Sequence, residues 1–368
     1  MNKEKKYRVI IGGGGTGGHV FPAISIANAL RESDDEVEIL FVGAQGKLEM
    51  EKVPEAGYQI EGLPVAGFQR RLTLKNITFF FKLFKSMGMS RKIIKRYKPD
   101  VVVGVGGYAS GPILKAAGRK GIPTLIQEQN SYAGVTNKLL SGKAARICVA
   151  YKGMDKYFPG DKIILTGNPT RQNLVLNEKE KKNSYAHFHL DPSKKVILLI
   201  GGSLGARTLN DSIMSGIDKI KESDIQLLWQ SGSYYFEEAE EALKASGAKN
   251  IKVLPFIKEM NKAFQVADLI ISRAGAGTIS ELCIVGKPVI LVPSPNVAED
   301  HQTSNARSLT DQQAAVLVSD KEAREILVDT ALQVVNDSLR KNILSSHISK
   351  LAIRDSAERI VNEIQKLV

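Results

Sequence analysis

The sequence predicts an α/β protein built from two doubly wound, Rossmann-like parallel-sheet domains. Short, nearly continuous Val/Ile/Leu runs alternate with helical stretches along the chain, the pattern of strands buried on both faces. The plan occurs twice, each half opening on a strand that runs into glycines, at 12–18 and again at 201–205. And 368 residues exceed what a single core usually supports.

In chain order, the expected strands of the first half are 7–11, 37–42, 101–105, 124–126, 147–149 and 163–165. Those of the second are 196–200, 225–229, 251–254, 269–271, 289–292 and 315–318. The seam is expected near 167–170 (GNPT), ahead of a polar patch at 177–183 (NEKEKKN). The stretch 354–364 carries apolar residues at helical spacing and must pack on something.

Composition is that of a soluble globular protein, 43% hydrophobic and 24% charged. No apolar run is long enough to cross a bilayer, and the charged start MNKEKK leads into a first strand, not a signal peptide. Cys148 and Cys283 sit in apolar contexts without metal-ligand spacing and read as buried thiols. The net charge of +12 points to a polyanionic partner, nucleic acid or an anionic membrane.

Much of that charge is local. Between Glu61 and Asp100 there are ten Lys/Arg and no acid. Ile77, Phe80, Phe81, Phe84 and Met87 share one helical stripe, which is expected to be core. Phe79 falls on the opposite side with Lys75 and Lys82, and Leu83 lies at its edge. An apolar residue on a basic face is the pattern of a helix resting on anionic lipid, the alternative being a solvated face. No nucleic-acid motif accompanies it.

The loop 12–19 (GGGGTGGH) lies between a strand and a helix, the geometry that aims backbone N–H groups and a positive helix end at phosphate. His19 stands at the mouth of that helix; it is expected as a base, with substrate orientation or a structural role as rivals. Loops at 104–111 and 127–134 follow later strands and belong on the same sheet rim. In the second half, 201–206 and 272–281 repeat the arrangement, with hydroxyls at Ser203, Thr278 and Ser280. Glu281 either accepts hydrogen bonds from a ribose diol or caps its helix. The polar segment 297–306 can read sugar hydroxyls or be a solvated loop.

A nicotinamide dehydrogenase would need an acid at the end of the second strand, where the chain reads Val42-Gly43-Ala44-Gln45. A P-loop NTPase would need G-x-x-x-x-G-K-[ST], which is missing. A sugar-nucleotide enzyme with its two substrates on different domains fits better.

Taken together, 13–22 (GGGTGGHVFP), 98–112 (KPDVVVGVGGYASGP), 127–137 (QEQNSYAGVTN), 167–171 (GNPTR), 201–206 (GGSLGA), 272–281 (SRAGAGTISE) and 300–306 (DHQTSNA) resemble the MurG family of N-acetylglucosaminyltransferases, in the family's order and over most of the chain. The resemblance implies a GT-B fold with two domains facing across a cleft: 1–167 plus about 350–368 for acceptor and membrane, and 168–349 for donor. It implies inverting transfer of N-acetylglucosamine from UDP-GlcNAc to the muramoyl O4 hydroxyl of lipid I, giving lipid II and UDP in peptidoglycan synthesis. No cofactor or metal is implied, and no D-x-D motif is present.

Carried over by motif, His19 would be the base. Ser203 would contact the phosphates, Ile257 the uracil through its backbone, and Glu281 the ribose. Ala276, Gly277 and Thr278 would line the diphosphate site with Arg171 beside it, Ile279 and Ser280 would belong to the UDP-GlcNAc set, and Gln302 and Asn130 would hold the sugar. Thr16, Gly17 and Gly18 would belong to the UDP-GlcNAc set while their turn also faces the acceptor's diphosphate, as would Gly14, Gly15, Gly106, Gly107, Tyr108 and Ser110. Lys75, Phe79, Lys82 and Leu83 would form the membrane patch. The partners implied are UDP-GlcNAc, lipid I, an anionic membrane on the cytoplasmic face of the inner membrane, and cell-wall and division proteins, with no nucleic acid. Two positions depart from the family's pattern: an extra glycine precedes the first loop, and Tyr132 stands where small or aliphatic residues are usual. A UDP-sugar 2-epimerase of the same fold is the alternative enzyme.

Overall fold

The computed structural model describes residues 7–65, 75–170, 174, 177–297 and 300–368, with the backbone alone at 75–80 and 178. The chain forms two compact units, Met1–Thr170 with Ile353–Val368, and Arg171–Ala352.

The first unit runs β1 (Arg8–Gly12), α1 (Gly17–Ser33), β2 (Glu38–Ala44), α2 (Glu49–Glu55), β3 (Gln59–Leu63), α3 (Lys75–Tyr97), β4 (Val101–Gly104), α4 (Ser110–Gly118), β5 (Thr124–Glu128), α5 (Val135–Ser141), β6 (Arg146–Val149) and β7 (Ile163–Leu165). Its strands lie in the order β3-β2-β1-β4-β5-β6-β7, and every pairing is parallel. The order reverses at β1 and β4, so the loops after those strands share the switch point where α/β sheets bind ligands.

The second unit contains α6 (Lys181–Phe188), β8 (Lys195–Ile200), α7 (Arg207–Ser215), α8 (Ile217–Lys221), β9 (Ile225–Gln230), α9 (Phe236–Ser246), β10 (Ile251–Leu254), α10 (Met260–Val266), β11 (Leu269–Ser272), α11 (Ala276–Val285), β12 (Val289–Leu291), α12 (His301–Thr310), β13 (Val316–Leu317), α13 (Ala323–Asn336) and α14 (Ser338–Lys350). Its parallel sheet has the order β10-β9-β8-β11-β12-β13, with β8 and β11 at the reversal. Helix α15 (Ser356–Gln365) follows and belongs to the first unit. Its Ile360, Val361 and Ile364 pack into the cluster that holds Val20, Ala23, Ile26 and Leu30 of α1. Burial of such side chains stabilises by about 1.5–3 kcal/mol each, enough to fix where the amphipathic tail docks.

All twelve expected strands form; β3 is an additional one. It is an edge strand with a mixed face (Gln59-Ile60-Glu61-Gly62-Leu63), so it lacks the apolar run that marks the central strands. Helix α3 departs from expectation in its orientation. Ser86, Ser90, Ile93 and Ile94 form its inward face, with Leu83 half-buried on the same side. Phe81 and Phe84, expected in the core, are instead 73% and 74% exposed. The small serines let the second half of the helix approach closely, and that docking decides which stripe turns outward. Phe79 and Lys75 lie outside the residues whose side chains are described, Lys82 is exposed, and Leu83 does not belong to an exposed face. Among the described residues no helix is long and apolar enough to cross a membrane.

Candidate active site

The first half-site is built on the β1–α1, β4–α4 and β5–α5 loops. The glycines after β1 do not form an open anion nest. Gly13 N–H donates to Val42 O (3.0 Å) and Gly14 N–H to Gly106 O (3.3 Å). Gly15 N–H donates to Glu49 Oε2 (2.7 Å), and Ala44 N–H to Glu49 Oε1 (2.8 Å). Glu49 is buried, and a β-carbon on Gly14 would overlap its carboxylate. Gly14 and Gly15 are therefore corrected as amide donors to a diphosphate. Within this loop, no hydrogen bond to another described residue is made by the N–H groups of Thr16, Gly17 and Gly18, at the start of α1, whose first turn carries no acid. Glu49 was not marked in the sequence, because nothing local ties residue 49 to residue 15.

Thr16, the extended N-cap of α1, places Oγ1 3.3 Å from His19 Nδ1. The half-buried imidazole lies against Gly106: a β-carbon there would sit 2.9 Å from Nε2. Gly106 (φ +92°) and Gly107 (φ +81°) adopt left-handed conformations, and a β-carbon on Gly107 would overlap the Gly14 backbone. Tyr108 is 54% exposed at the loop's tip. Ser110 is corrected as an exposed loop hydroxyl: it is fully buried, with no hydrogen-bond partner for its Oγ among the described residues, and it packs against Gly104, where a β-carbon would lie 2.7 Å from that oxygen.

Buried Glu128 organises the third loop. One oxygen accepts Asn130 N–H (3.1 Å) and Asn130 Nδ2 (3.3 Å), the other Gly134 N–H (2.9 Å) and Asn137 Nδ2 (2.9 Å). Tyr132 is accounted for by packing. Its ring meets Tyr157 edge-on at 5.0 Å beneath Lys138 Nζ, 4.4 Å away. A separate cavity of about 300 Å³, lined by Val149, Tyr151, Met154 and Leu165 among others, includes none of the expected site residues.

The second half-site lies on the corresponding loops of the second sheet. After β8, Ser203 is exposed, and its carbonyl accepts Ser233 N–H (3.1 Å). Ile257 is buried and donates its N–H to Gln230 Oε1 (2.9 Å), so contact through its backbone falls to the carbonyl. After β11, Ala276, Gly277 and Thr278 form the first turn of α11, which also lacks an acid, and Glu281 is half-buried one turn later. Ile279 is corrected: its side chain is core and its N–H donates to Gly275 O (2.9 Å). Ser280 Oγ donates back to Ala276 O (3.1 Å).

Gln302 Oε1 accepts two backbone amides, Ala274 (3.2 Å) and Ser294 (2.9 Å), which turns its Nε2 donors outward. Arg273 is internal: its guanidinium donates to Val292 O (3.0 Å) and Pro293 O (3.2 Å) and pairs with Asp320, which also accepts Thr208 Oγ1 (3.0 Å). Arg171 lies outside the described residues. Both thiols are buried, and burial pushes Cys148 and Cys283 up to about 12, as inert groups.

Two family models match this chain: the glycosyltransferase family 28 N-terminal domain over residues 9–149 and the family 28 C-terminal domain over 196–360. A protein of Bacteroides thetaiotaomicron, named UDP-N-acetylglucosamine–N-acetylmuramyl-(pentapeptide) pyrophosphoryl-undecaprenol N-acetylglucosamine transferase, is 57% identical over 366 residues, 99% of this chain and 98% of its own. A protein of the same name in Phocaeicola vulgatus is 58% identical, over 99% and 97%. The crystal structure of Acinetobacter baumannii MurG superposes with a TM-score of 0.80 at 30% identity, covering 98% of this chain and 99% of that one. A UDP-GlcNAc 2-epimerase from Neisseria meningitidis shares the fold, with a TM-score of 0.66 at 15% identity over 98% and 100% of the two chains.

Proposed function

The chain belongs to the MurG family of glycosyltransferases, with the GT-B-type pair of parallel-sheet domains, and from that premise we propose that it transfers N-acetylglucosamine from UDP-GlcNAc to the muramoyl O4 hydroxyl of lipid I, releasing UDP and forming lipid II. The observation that carries this reading is the 57% identity over nearly the full length of both proteins.

The half-sites support a division of labour. On the second unit, the acid-free starts of α7 and α11 offer amides to the donor's diphosphate, with the Ser203 and Thr278 hydroxyls beside them. Glu281 takes the ribose diol and the Ile257 carbonyl the uracil N–H. Gln302 gives Nε2 to the sugar. Arg171 adds charge near departing UDP. On the first unit, the Gly17 and Gly18 amides and Tyr108 meet the acceptor's diphosphate region.

His19 Nε2 takes the O4 proton as that oxygen attacks C1 of the sugar from the face opposite UDP, inverting the centre. Nδ1, 3.3 Å from Thr16 Oγ1, is the nitrogen that holds the ring in place. Helix α3 presents the first unit to a membrane. Phe81 and Phe84 project beside exposed Lys82, Lys85, Arg91 and Lys92, a face suited to the anionic cytoplasmic leaflet where a lipid-linked acceptor resides.

The test is UDP release from UDP-GlcNAc, with and without a lipid I analogue, in wild type and His19→Ala. Release that requires acceptor and falls at least about 100-fold in His19→Ala is the expected result. Turnover of UDP-GlcNAc without acceptor would overturn the transferase reading. Unchanged turnover in His19→Ala would remove the base assignment.

A further inference from the structure

Three carboxamides run as one buried chain beneath the β5–α5 loop. Gln127 Nε2 donates to Asn168 Oδ1 (3.0 Å), and Asn168 Nδ2 donates to the Gln129 carbonyl (2.9 Å). Gln129 Nε2 donates to Val105 O (2.8 Å) and to Gln127 Oε1. All three residues are buried. The acceptors gathered at Gln129 Nε2 set the carboxamide's orientation, because the reverse placement would bring oxygen against oxygen. Its Oε1 therefore points away from them, and this buried atom has no hydrogen-bond partner. An unmet buried acceptor is destabilising and calls for a reason.

Gly106 supplies the direction. A β-carbon built there would lie 2.9 Å from His19 Nε2 and 3.8 Å from Gln129 Oε1, so the two groups converge over one face of one glycine. The left-handed backbone at Gly106 keeps that space free of side chain. The two buried carboxylates of this half-site are both engaged by N–H groups, Glu49 by those of Gly15 and Ala44, and Glu128 by those of Gly134 and Asn137.

We propose that Gln129 is a positioning residue for the transfer step, its Oε1 lying beside the His19 ring as the fixed dipole that stabilises the positive charge the imidazole gains when Nε2 takes the acceptor's proton. This rests on the reading of His19 as base. In that step the hydroxyl O–H bond breaks and its proton moves to Nε2. The oxygen's electron pair forms the bond to C1 of N-acetylglucosamine, and the C1–O bond to UDP breaks with its electrons on the β-phosphate. Positive charge appears on the imidazole. A fixed, neutral carboxamide oxygen stabilises it without adding a negative charge beside two diphosphates.

The test compares Gln129→Met, which keeps length but removes both polar atoms, with Gln129→Glu. As a carboxylic acid, Glu can donate O–H to Val105 O and keep its C=O toward His19. With a lipid I analogue, kcat is expected to fall about tenfold or more in Gln129→Met, which removes the preorganised dipole beside the developing charge. KM for UDP-GlcNAc should stay within about twofold, and Gln129→Glu should recover most of kcat.

A substrate-free readout is the ring-nitrogen NMR signal of imidazolium His19, assigned through His19→Ala. Its Nε2–H should move in Gln129→Met, where the carbonyl dipole beside the ring is gone, while His187, His189, His301 and His347 stay in place. Gly106→Ala, whose methyl enters the shared space, should shift the same signal and gives a second route if Gln129→Met does not fold. An identical His19 signal in wild type and these variants would overturn the proposal, as would equal loss of kcat in the Met and Glu variants. The NMR result is independent of the transferase reading, which instead stands on acceptor-dependent UDP release by wild type.

Discussion

Glu49 Oε2 accepts the amide of Gly15 at 2.7 Å while its other oxygen accepts the amide of Ala44 at 2.8 Å. One buried carboxylate thus ties the first glycine loop to the end of β2. It occupies an amide that a dinucleotide-binding loop would leave for pyrophosphate, and it puts a negative charge behind the loop. What stays open is the pair of amides at the start of α1, those of Gly17 and Gly18.

Glu49→Gln retains one acceptor oxygen and replaces the other with an N–H donor that faces an amide. Losing a hydrogen bond to a charged group costs about 1.5–3 kcal/mol. The displaced loop should lower kcat/KM for the acceptor about tenfold or more. UDP affinity, measured by calorimetry, should hold within about twofold, because the donor half-site proposed above is on the other unit. Equal losses on both sides would count against a loop-specific role.

Gly106→Ala imposes a left-handed conformation on a residue with a side chain, at a cost of about 1–3 kcal/mol, and places a methyl 2.9 Å from where His19 Nε2 stands. A lower melting temperature and a fall in kcat are expected, again with UDP binding retained. A variant with wild-type kcat would show that the imidazole does not work in the position seen here.

Gln302→Glu keeps an oxygen for the Ala274 and Ser294 amides but exchanges the outward N–H donors for a second oxygen. KM for UDP-GlcNAc should rise about tenfold or more, whereas the affinity for UDP, which lacks the sugar, should change little. Steady-state kinetics beside UDP titration separates the two effects.

Phe81→Ser with Phe84→Ser should weaken binding to anionic vesicles at least tenfold, since burying each ring is worth about 1.5–3 kcal/mol. Turnover of a water-soluble acceptor analogue should be unaffected. The remaining binding should fall steeply with salt, because the surrounding lysines and arginines act by charge. Vesicle co-sedimentation reads all of this; unaltered binding by the double variant would reject α3 as the lipid-facing helix.

Both thiols stay protonated in the folded chain up to about pH 12, whereas in the unfolded chain they ionise near their ordinary value of 9.0. The unfolded state sheds these protons first. Stability from this source is therefore complete below that ordinary value and is lost as pH rises toward about 12. The Cys148→Ala, Cys283→Ala double variant should lose less of its urea midpoint between about pH 8 and about pH 10.5 than wild type does. Native protein should resist alkylation at the lower pH, with both thiols reacting in denaturant.

Much of this protein is legible in its sequence. Parallel strands buried on both faces leave apolar runs, and a close turn after such a strand leaves glycines, so all twelve expected strands and the loops that bear His19, Tyr108, Ser203, Thr278 and Gln302 are found where expected. Edge strand β3 escapes because it is only half apolar. Ser110 and Ile279 share motifs with exposed residues, but the turn of their helices carries their side chains into the packed interior. Gln129 and Glu49 escape for another reason: what matters in each is the direction of one oxygen, and composition does not contain it.

By itself, then, the sequence determines the two α/β units, the rim on which each functional loop lies, and the family, because these follow from local periodicity and from motifs read in order. Only the tertiary structure decides which face of α3 turns outward, which loop amides remain open, and which oxygen of Gln129 or Gln302 is held. Those outcomes depend on partners distant along the chain: Glu49 is 34 residues from Gly15, and Asn168 is 39 from Gln129. A buried polar atom is oriented by whatever folding brings against it. The glycine loop is visible as a string of letters, but which of its amides stay open rests on a carboxylate that the string does not contain.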